Sequence, residues 1–468
     1  MINYTYIAIR MEDLFMVIYL GIYLIQLLRK KTTIDRRFFI LFALYWLAVL
    51  ASSFYAVYIA KTITVKHLAF LHAFRRVEYM SVFLIALSVI KSKKDFIFYI
   101  GLILAAFLIV NIYGLGQKFL GWPAVQTMNP EYAKGYLLFL TPEARISSTF
   151  SGHYDLAAYL IFLMPIVLGF YFLRSSLKYF LLFIASLLIL VFTASRVSYG
   201  SYILSTFPFL LFLRKPKHFF VVLLFTLIFT LSSNNLTSRF KRTFQVKQIF
   251  VNQQTGQVVI PQAMTSKELP AGSFYIGLKQ SGGQQATDSI PKQDELLKER
   301  ILDEIRTEAR SKGKKLSSKE ERDLTASIAA KLKPINTVVS DISFATRLQV
   351  EWPRAINAFL FNPILGTGPS SITEATDNDY LRSLGEVGLL GTLLLGLIFF
   401  IIAKTIIIAF IKMKTDEKYL YGGFLFGLLG LLVNATYIDV FEASKIAFQF
   451  WFIAGLFIGF LPYAKAKK

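Results

Sequence analysis

The chain has 468 residues, 55% of them hydrophobic and 16% aromatic, with no cysteine, a formal net charge of +22 and a mean hydropathy of +0.53. That apolar share exceeds the roughly half of an ordinary soluble domain, and several runs reach the roughly 20 residues that cross a bilayer, so the composition points to an all-α polytopic membrane protein. The missing cysteines exclude disulfides and thiolate metal sites, and the basic charge sits in short clusters without interleaved aromatics, which argues against a nucleic-acid partner.

Apolar runs predict about eleven helices, at roughly 12–28, 38–60, 68–90, 96–117, 154–173, 177–194, 198–213, 217–232, 385–411, 418–437 and 443–461. The first run ends in LLRKK rather than in small residues, so no cleavable signal peptide is expected. The basic connections RKKTTIDRR, KSKKD, RSSLK, RKPKH and IKMKTDEK and the tail AKAKK all fall on one side of this helix alternation. The positive-inside rule makes that side cytoplasmic, with the N-terminus outside and the C-terminus inside. The other side then receives 118–153, 233–384 and 438–442.

The largest of these segments has parts of different character. QIFVNQQTGQVVIPQ alternates around a Thr-Gly turn and predicts a short β-hairpin. Residues 291–333 read as a polar helical hairpin broken near Gly313, with Leu296, Leu297, Ile301, Ile305 and Leu316 at helical spacing. Nothing there looks catalytic; a solvated decoration is the favoured reading and partner docking the other. From 341 the chain turns amphipathic, with Leu348, Trp352, Ile356 and Phe359 on one helical face, and reads as a helix on the membrane surface. It leads into the Gly- and Pro-rich stretch FNPILGTGPSSITEATDNDYLRSLGEVGLLG. That stretch concentrates Asp377, Asn378, Asp379, Arg382 and Glu386 at the entrance of an apolar helix, where polar groups carry a desolvation cost. Asp379 or Ser383 is the expected helix cap. The domains are then 1–232, an N-terminal bundle of 8 helices; 233–340, an extracytoplasmic insert; 341–384, an external amphipathic helix and catalytic loop; and 385–468, 3 C-terminal transmembrane helices.

Arginines near the outer ends of helices need partners. Arg145 precedes the fifth run, Arg196 lies in the turn TASRVSYG, and Arg75 and Arg76 lie inside the third. Adjacent helical positions face about 100° apart, so Arg75 and Arg76 cannot both avoid lipid unless a polar cavity is near. Ion pairing with Glu78 or Glu442 and binding of an anionic headgroup both remain open for them. The guanidinium fork suits phosphate, and a carboxylate takes a proton from an incoming hydroxyl. Arginines facing an Asp377/Asp379 loop at the bilayer surface suggest glycosyl transfer from a lipid-pyrophosphate sugar.

Four stretches in order, RISSTFSGHYDLAAYL, TASRVSYGSYI, RLQVEWPRAINAFLFNPILGTGPSSI and DNDYLRSLGEVGLLG, resemble the motifs of the O-antigen ligase and O-antigen polymerase superfamily, from about 140 to 461 without the insert. The resemblance implies a GT-C-like bacterial membrane glycosyltransferase of polysaccharide and lipopolysaccharide biosynthesis in the cell envelope. It implies a multi-pass protein of the inner (cytoplasmic) membrane, acting at its outer face among membrane lipids. The donor would be an undecaprenyl-pyrophosphate-linked glycan and the acceptor a glycan, lipid or protein, with no cofactor and no required metal. Carried over by motif, the family's arginines fall on Arg145, Arg196 and Arg347, all substrate-binding, with Arg75 and Arg76 as further candidates. Ligases of the family carry His-Asn where this chain has Asp377-Asn378, so the expected catalytic group is Asp377, with Asp379 and His153 as further candidates. The missing His leaves ligase and polymerase open. A non-enzymatic transporter of a lipid-linked glycan is the alternative. It calls for charges through the bilayer midplane and paired discontinuous helices, whereas here the charges crowd at helix ends.

Overall fold

Every apolar run of the sequence lies in a helix. The computed structural model describes residues 11–126, 132, 134–141, 144–242, 244–252, 258–259, 274–276, 302, 319–321, 323, 332–340, 347–372 and 376–464. The helices are α1 Met11–Leu28, α2 Arg36–Phe54 with a π-helical extension Tyr55–Ile59, α3 Lys66–Val89, α4 Lys93–Phe119, α5 His153–Arg174, α6 Leu177–Thr193, α7 Arg196–Phe212, α8 Pro216–Ser232, α9 Asn234–Arg242, α10 Trp352–Phe361 behind a π turn Arg347–Glu351, α11 Asp379–Lys412, α12 Lys418–Asn434 and α13 Ser444–Ala464. Among the described residues five stretches are long and apolar enough to cross a membrane: Arg36–Ile59, Lys93–Phe119, His153–Arg174, Asp379–Lys412 and Ser444–Ala464. Shorter apolar helices accompany them at Asp13–Leu28, Leu177–Thr193, Pro216–Ser232 and Lys418–Asn434. Side-chain caps mark some starts: Asp35 accepts the N–H of Arg37 at α2, and Ser92 that of Asp95 at α4.

The core is built around α5, buried continuously from Leu156 to Phe170. Helix α12 lies directly against it, because a Cβ at Gly423 or Gly427 would stand 2.5 Å from the Pro165 carbonyl or 2.3 Å from that of Phe162. Small residues at such seams allow the backbone approach on which helix packing in lipid depends. The outward faces are apolar: Leu47, Ile109, Leu393, Phe400 and Ile411 are exposed. Such a belt suits hydrocarbon rather than water.

The two ends of the bundle differ. At one end the basic connections meet: Lys93 pairs with Glu417, and Lys215 lies 5.4 and 5.5 Å from the ring centroids of Phe172 and Tyr419. The other end gathers the starts of α3, α5, α7, α11 and α13, and there the candidate residues lie.

The expected hairpin is present as β2 (Phe244–Asn252) and β3 (Val258–Val259), with Val251 opposite Val258. A third strand, β5 (Leu332–Ser340), pairs antiparallel with β2 along its length, in the order β3-β2-β5. Its Pro334 is tolerated because β5 is an edge. A second small pairing joins β1 (Leu138–Leu140) to β4 (Phe274–Ile276). The polar helical hairpin expected over 291–333 lies for the most part outside the described residues.

Helix α11 is broken at Gly388, whose φ of 63° and ψ of −168° are not helical. The loop before it repairs the break. Thr367 and Gly368 donate their N–H groups to the carbonyls of Gly385 and Glu386 at 2.9 Å, and Leu389 and Leu390 donate to Pro363 and Ile364. The Ser52 hydroxyl adds a bond to the Glu386 carbonyl. Sequence reading treated GEVGLLG as continuous helix; the break is a tertiary feature. A Cβ at Gly388 would lie 2.3 Å from the Ile364 carbonyl oxygen, in a backbone region reserved for glycine. Gly388→Ala is therefore expected to lose at least about 1–3 kcal/mol, read as a lower unfolding temperature in detergent. Gly396→Ala, with nothing within 4 Å of its added methyl, should unfold as wild type does.

Candidate active site

Asp377 and Asp439 organise the site. Asp439, in the α12–α13 connection, accepts three consecutive backbone N–H groups: Thr376 at 2.8 Å and Asp377 at 3.1 Å on Oδ2, and Asn378 at 2.9 Å on Oδ1. Three N–H groups converge in this way because Asp377 adopts a left-handed backbone with φ 51°. The Arg382 guanidinium donates to Oδ2 of the same carboxylate at 2.9 Å. Asp379 returns the arrangement, its Oδ2 accepting the N–H groups of Val440 at 2.7 Å and Phe441 at 3.2 Å. The start of α11 and the α12–α13 turn are thus tied by two carboxylates facing opposite ways. Asn378 caps α11, its Oδ1 accepting from Leu381 and its Nδ2 donating to Thr436. The cap is therefore neither Asp379 nor Ser383, because Asp379 is turned to the neighbouring turn.

Beneath this clamp runs a buried charge network. Arg76 pairs with Glu386 and, at 2.8 Å, with Glu442; Arg382 reaches Glu386 at 3.3 Å, and Glu386 also accepts the N–H of Ser370. The side chains of Arg76, Glu386 and Arg382 are 8%, 1% and 6% exposed, so each charge needs the others. Burial works against the Glu442 carboxylate, yet Arg76 and Arg382 hold it below the usual carboxylate range. Arg75 pairs instead with Asp13 on α1 at 3.2 Å. Arg75 and Arg76, expected as substrate ligands, are engaged in ion pairs; for Arg76 the partner is Glu442, one of the two acids considered for it. Asp379, expected as catalytic, has one carboxylate oxygen committed to backbone.

The remaining candidates converge. The guanidinium carbons of Arg145 and Arg347 lie 5.4 and 6.0 Å from the Tyr154 ring centroid, and that of Arg347 lies 4.2 Å from the Tyr437 ring. Arg196 is close enough to Tyr437 to act on its hydroxyl electrostatically. His153 stacks on Tyr154 with ring centroids 4.0 Å apart. Arg347 pairs with Asp377. Burial pushes the Asp377 carboxyl above its ordinary range; Arg347 pulls it back and Asp439 adds to the push. A carboxyl raised in this way is a better proton acceptor near neutral pH than a free aspartate.

Local structure explains each placement. Gln117 on α4 accepts the N–H of Ser148 at 2.7 Å and donates to its carbonyl at 3.0 Å, which pins the turn carrying Arg145. Ala194, at φ 48°, reverses the chain before α7. Ser195 then bonds Ser198, which bonds Asn434 at the end of α12, so Arg196 is held beside Tyr437. Arg347 begins the π turn before α10. That helix turns its small Ala355 to α11, where Gly385 would bring a Cβ within 2.8 Å of the Ala355 carbonyl. Its apolar Ile356, Leu360 and Phe361 are exposed, as is Leu348 before it. The apolar residues therefore face outward and the small one inward. Sequence reasoning assigned no site role to Tyr154, Tyr437 or Asp439. Among the described residues no group of three His, Asp or Glu side chains is placed to hold a metal ion.

A bundle of long apolar helices with apolar outer faces, carrying arginines and carboxylates together at one end, has the build of a multi-pass membrane protein. Residues 181–396 match the family model described as O-Antigen ligase, a region containing Arg196, Arg347 and Asp377 but not Arg145 or Asp439. That match spans a little under half of the chain; together with the helical bundle it supports a place in the O-antigen ligase and polymerase superfamily and a membrane enzyme that ligates glycan. Neither the curated proteins nor the solved structures searched gave a match.

The network predicts a difference between the adjacent arginines. Arg76→Met takes one of its two arginine partners from the buried Glu386 and the paired guanidinium from the part-exposed Glu442, and should cost about 3–5 kcal/mol of stability. Arg75→Met takes the guanidinium from Asp13, whose side chain is 18% exposed, and should cost clearly less. Thermal unfolding of the two purified variants in one detergent checks the order.

Proposed function

We propose that this enzyme transfers or polymerises glycan from a polyprenyl-pyrophosphate carrier onto an acceptor hydroxyl at the outer face of the cytoplasmic membrane. The observation that carries this reading is the convergence of Arg145, Arg196 and Arg347 around Tyr154 and Tyr437, with Asp377 paired to Arg347. The outer-face assignment is supported by the basic connections, which gather at the end of the bundle away from this site.

In the reaction the acceptor oxygen attacks the anomeric carbon, and the bond from that carbon to the pyrophosphate oxygen breaks. The electron pair leaves with the pyrophosphate. Arg145, Arg196 and Arg347 stabilise the charge that develops there, in a setting of low dielectric where preorganised donors act strongly. The acceptor proton passes to Asp377. Arg347 has two tasks in this scheme. Without donor it neutralises Asp377; with donor, pyrophosphate competes for the guanidinium and Asp377 is released to accept the proton. Asp377 then does the work that the family's ligases give to His. His153, beside Tyr154, is placed to bind a sugar or phosphate oxygen.

A transporter reading would draw on the break in α11, since interrupted helices line transport sites. The freed backbone groups at Gly388 are already satisfied by the 363–368 loop. That leaves them no part in coordinating a substrate.

In nanodiscs, Arg347→Lys is expected to lose about 10²–10³-fold in turnover, because a point charge does not replace the bidentate fork. Asp377→Asn should lose turnover with donor affinity nearly intact, and Asp377→His should retain part of it. Turnover of the wild type should rise with pH through the raised Asp377 pKa, and this limb should vanish in Asp377→Asn. Full turnover in Asp377→Asn would remove Asp377 from the chemistry.

A further inference from the structure

We propose that Asp439 is a positioning residue of the transfer reaction: it holds the 376–378 backbone so that the Asp377 carboxylate stands at Arg347. This rests on the reading of Asp377 as proton acceptor given above.

A non-glycine residue at φ 51° is in the left-handed region, which costs roughly 1–2 kcal/mol. Nothing in the side chain of Asp377 compensates locally, since its carboxylate is turned to Arg347, thirty positions earlier. The compensation comes from Asp439, through N–H bonds of 2.8, 3.1 and 2.9 Å from three consecutive residues. Such an arrangement of successive N–H groups forms an anion-binding concavity, and here the anion is a side chain of the same chain.

Asp439 is itself held. Arg382 bonds it, and Arg382 is fixed by Glu386, which Arg76 ties to Glu442. Asp379 fixes the turn carrying Asp439 from the other side. The direction of Asp377 is therefore set by a chain of charges running into the core of the bundle. Asp439 is not the proton acceptor. Its Oδ2 already accepts from Thr376, Asp377 and Arg382, and its Oδ1 from Asn378.

Asp439 also acts on Asp377 through its charge. The charged groups that act on Asp377 are Arg347 and Glu351 from the π turn, Arg382 from α11, Asp439 from the α12–α13 connection, and Asp155 from α5. Asp439 opposes ionisation of Asp377, whereas Arg347 and Arg382 favour it. Removing the Asp439 charge lowers the pKa of Asp377. Turnover that needs ionised Asp377 then persists to lower pH.

The test uses full-length protein in nanodiscs with undecaprenyl-pyrophosphate-linked oligosaccharide extracted from the source cells. It measures release of undecaprenyl pyrophosphate, donor affinity and the pH dependence of turnover. In Asp439→Asn, turnover should fall about 10²-fold, the effect of displacing a reacting group by an ångström. Donor affinity should stay close to wild type, and the acid limb should move to lower pH. Asp439→Glu keeps the charge and the capacity for all these hydrogen bonds, displaced by one methylene. It should fold, lose turnover and keep the acid limb at its wild-type pH. Wild-type turnover in either variant overturns the proposal. So does a parallel loss of affinity and turnover, or an acid limb in Asp439→Asn that does not move. Asp377→Asn serves as reference. If it is inactive while the Asp439 variants are normal, the positioning role fails alone; if it is fully active, the reading of Asp377 as base has failed first.

Discussion

The exchange of carboxylates between Asp379 and Asp439 is the constraint on which the site depends. Each accepts backbone N–H groups from the other's segment, so the start of α11 and the α12–α13 turn are fixed by five backbone N–H donors. Carboxylate bonds to backbone N–H groups are charge-assisted and stronger than neutral ones. They also have direction. A loop held only by apolar contact could rotate about its ends; a loop with three successive N–H groups on one carboxylate cannot do so without losing all three.

The charges behind the clamp carry its geometry into the bundle. Glu386 is buried and meets both Arg76 and Arg382, and the helix bearing it is broken two residues later at Gly388. The break lets the 363–368 loop reach the carbonyls of Gly385 and Glu386. One helix start, one glycine and one loop thus meet at Glu386. Apolar residues of similar volume often pack as stably as buried ion pairs, but they would not direct Asp377 at Arg347. The network's use here is direction more than stability.

The helices were legible because apolar runs of bilayer length carry their own signal, and the β2–β3 hairpin was legible from alternation around Thr255-Gly256. Strand β5 was not, since Lys-Pro-Ile-Asn in Leu332–Ser340 does not alternate cleanly and its partner β2 lies some eighty positions earlier. The arginines Arg145, Arg196 and Arg347 were marked by motif, and their common neighbours Tyr154 and Tyr437 were not, because tyrosines in apolar sequence are too frequent to stand out. The cap of α11 was assigned to Asp379 or Ser383, yet Asn378 holds it. The choice turned on Asp379 having backbone donors on a segment sixty positions later, which local propensity does not register. Arg75 and Arg76 look alike in sequence; only the fold gives one to Asp13 and the other to Glu386 and Glu442.

In the proposed mechanism a pyrophosphate sits among Arg145, Arg196 and Arg347 and takes Arg347 from Asp377. A cryo-electron microscopy structure of the protein in nanodiscs with undecaprenyl pyrophosphate bound tests it most directly. Phosphate oxygens are expected within hydrogen-bond distance of at least Arg145 and Arg347, with the Asp377 carboxylate released from Arg347 and Asp439 still holding the 376–378 backbone. A headgroup bound elsewhere, at Arg75 or among the basic connections, with the Arg347–Asp377 pair unbroken, would contradict it.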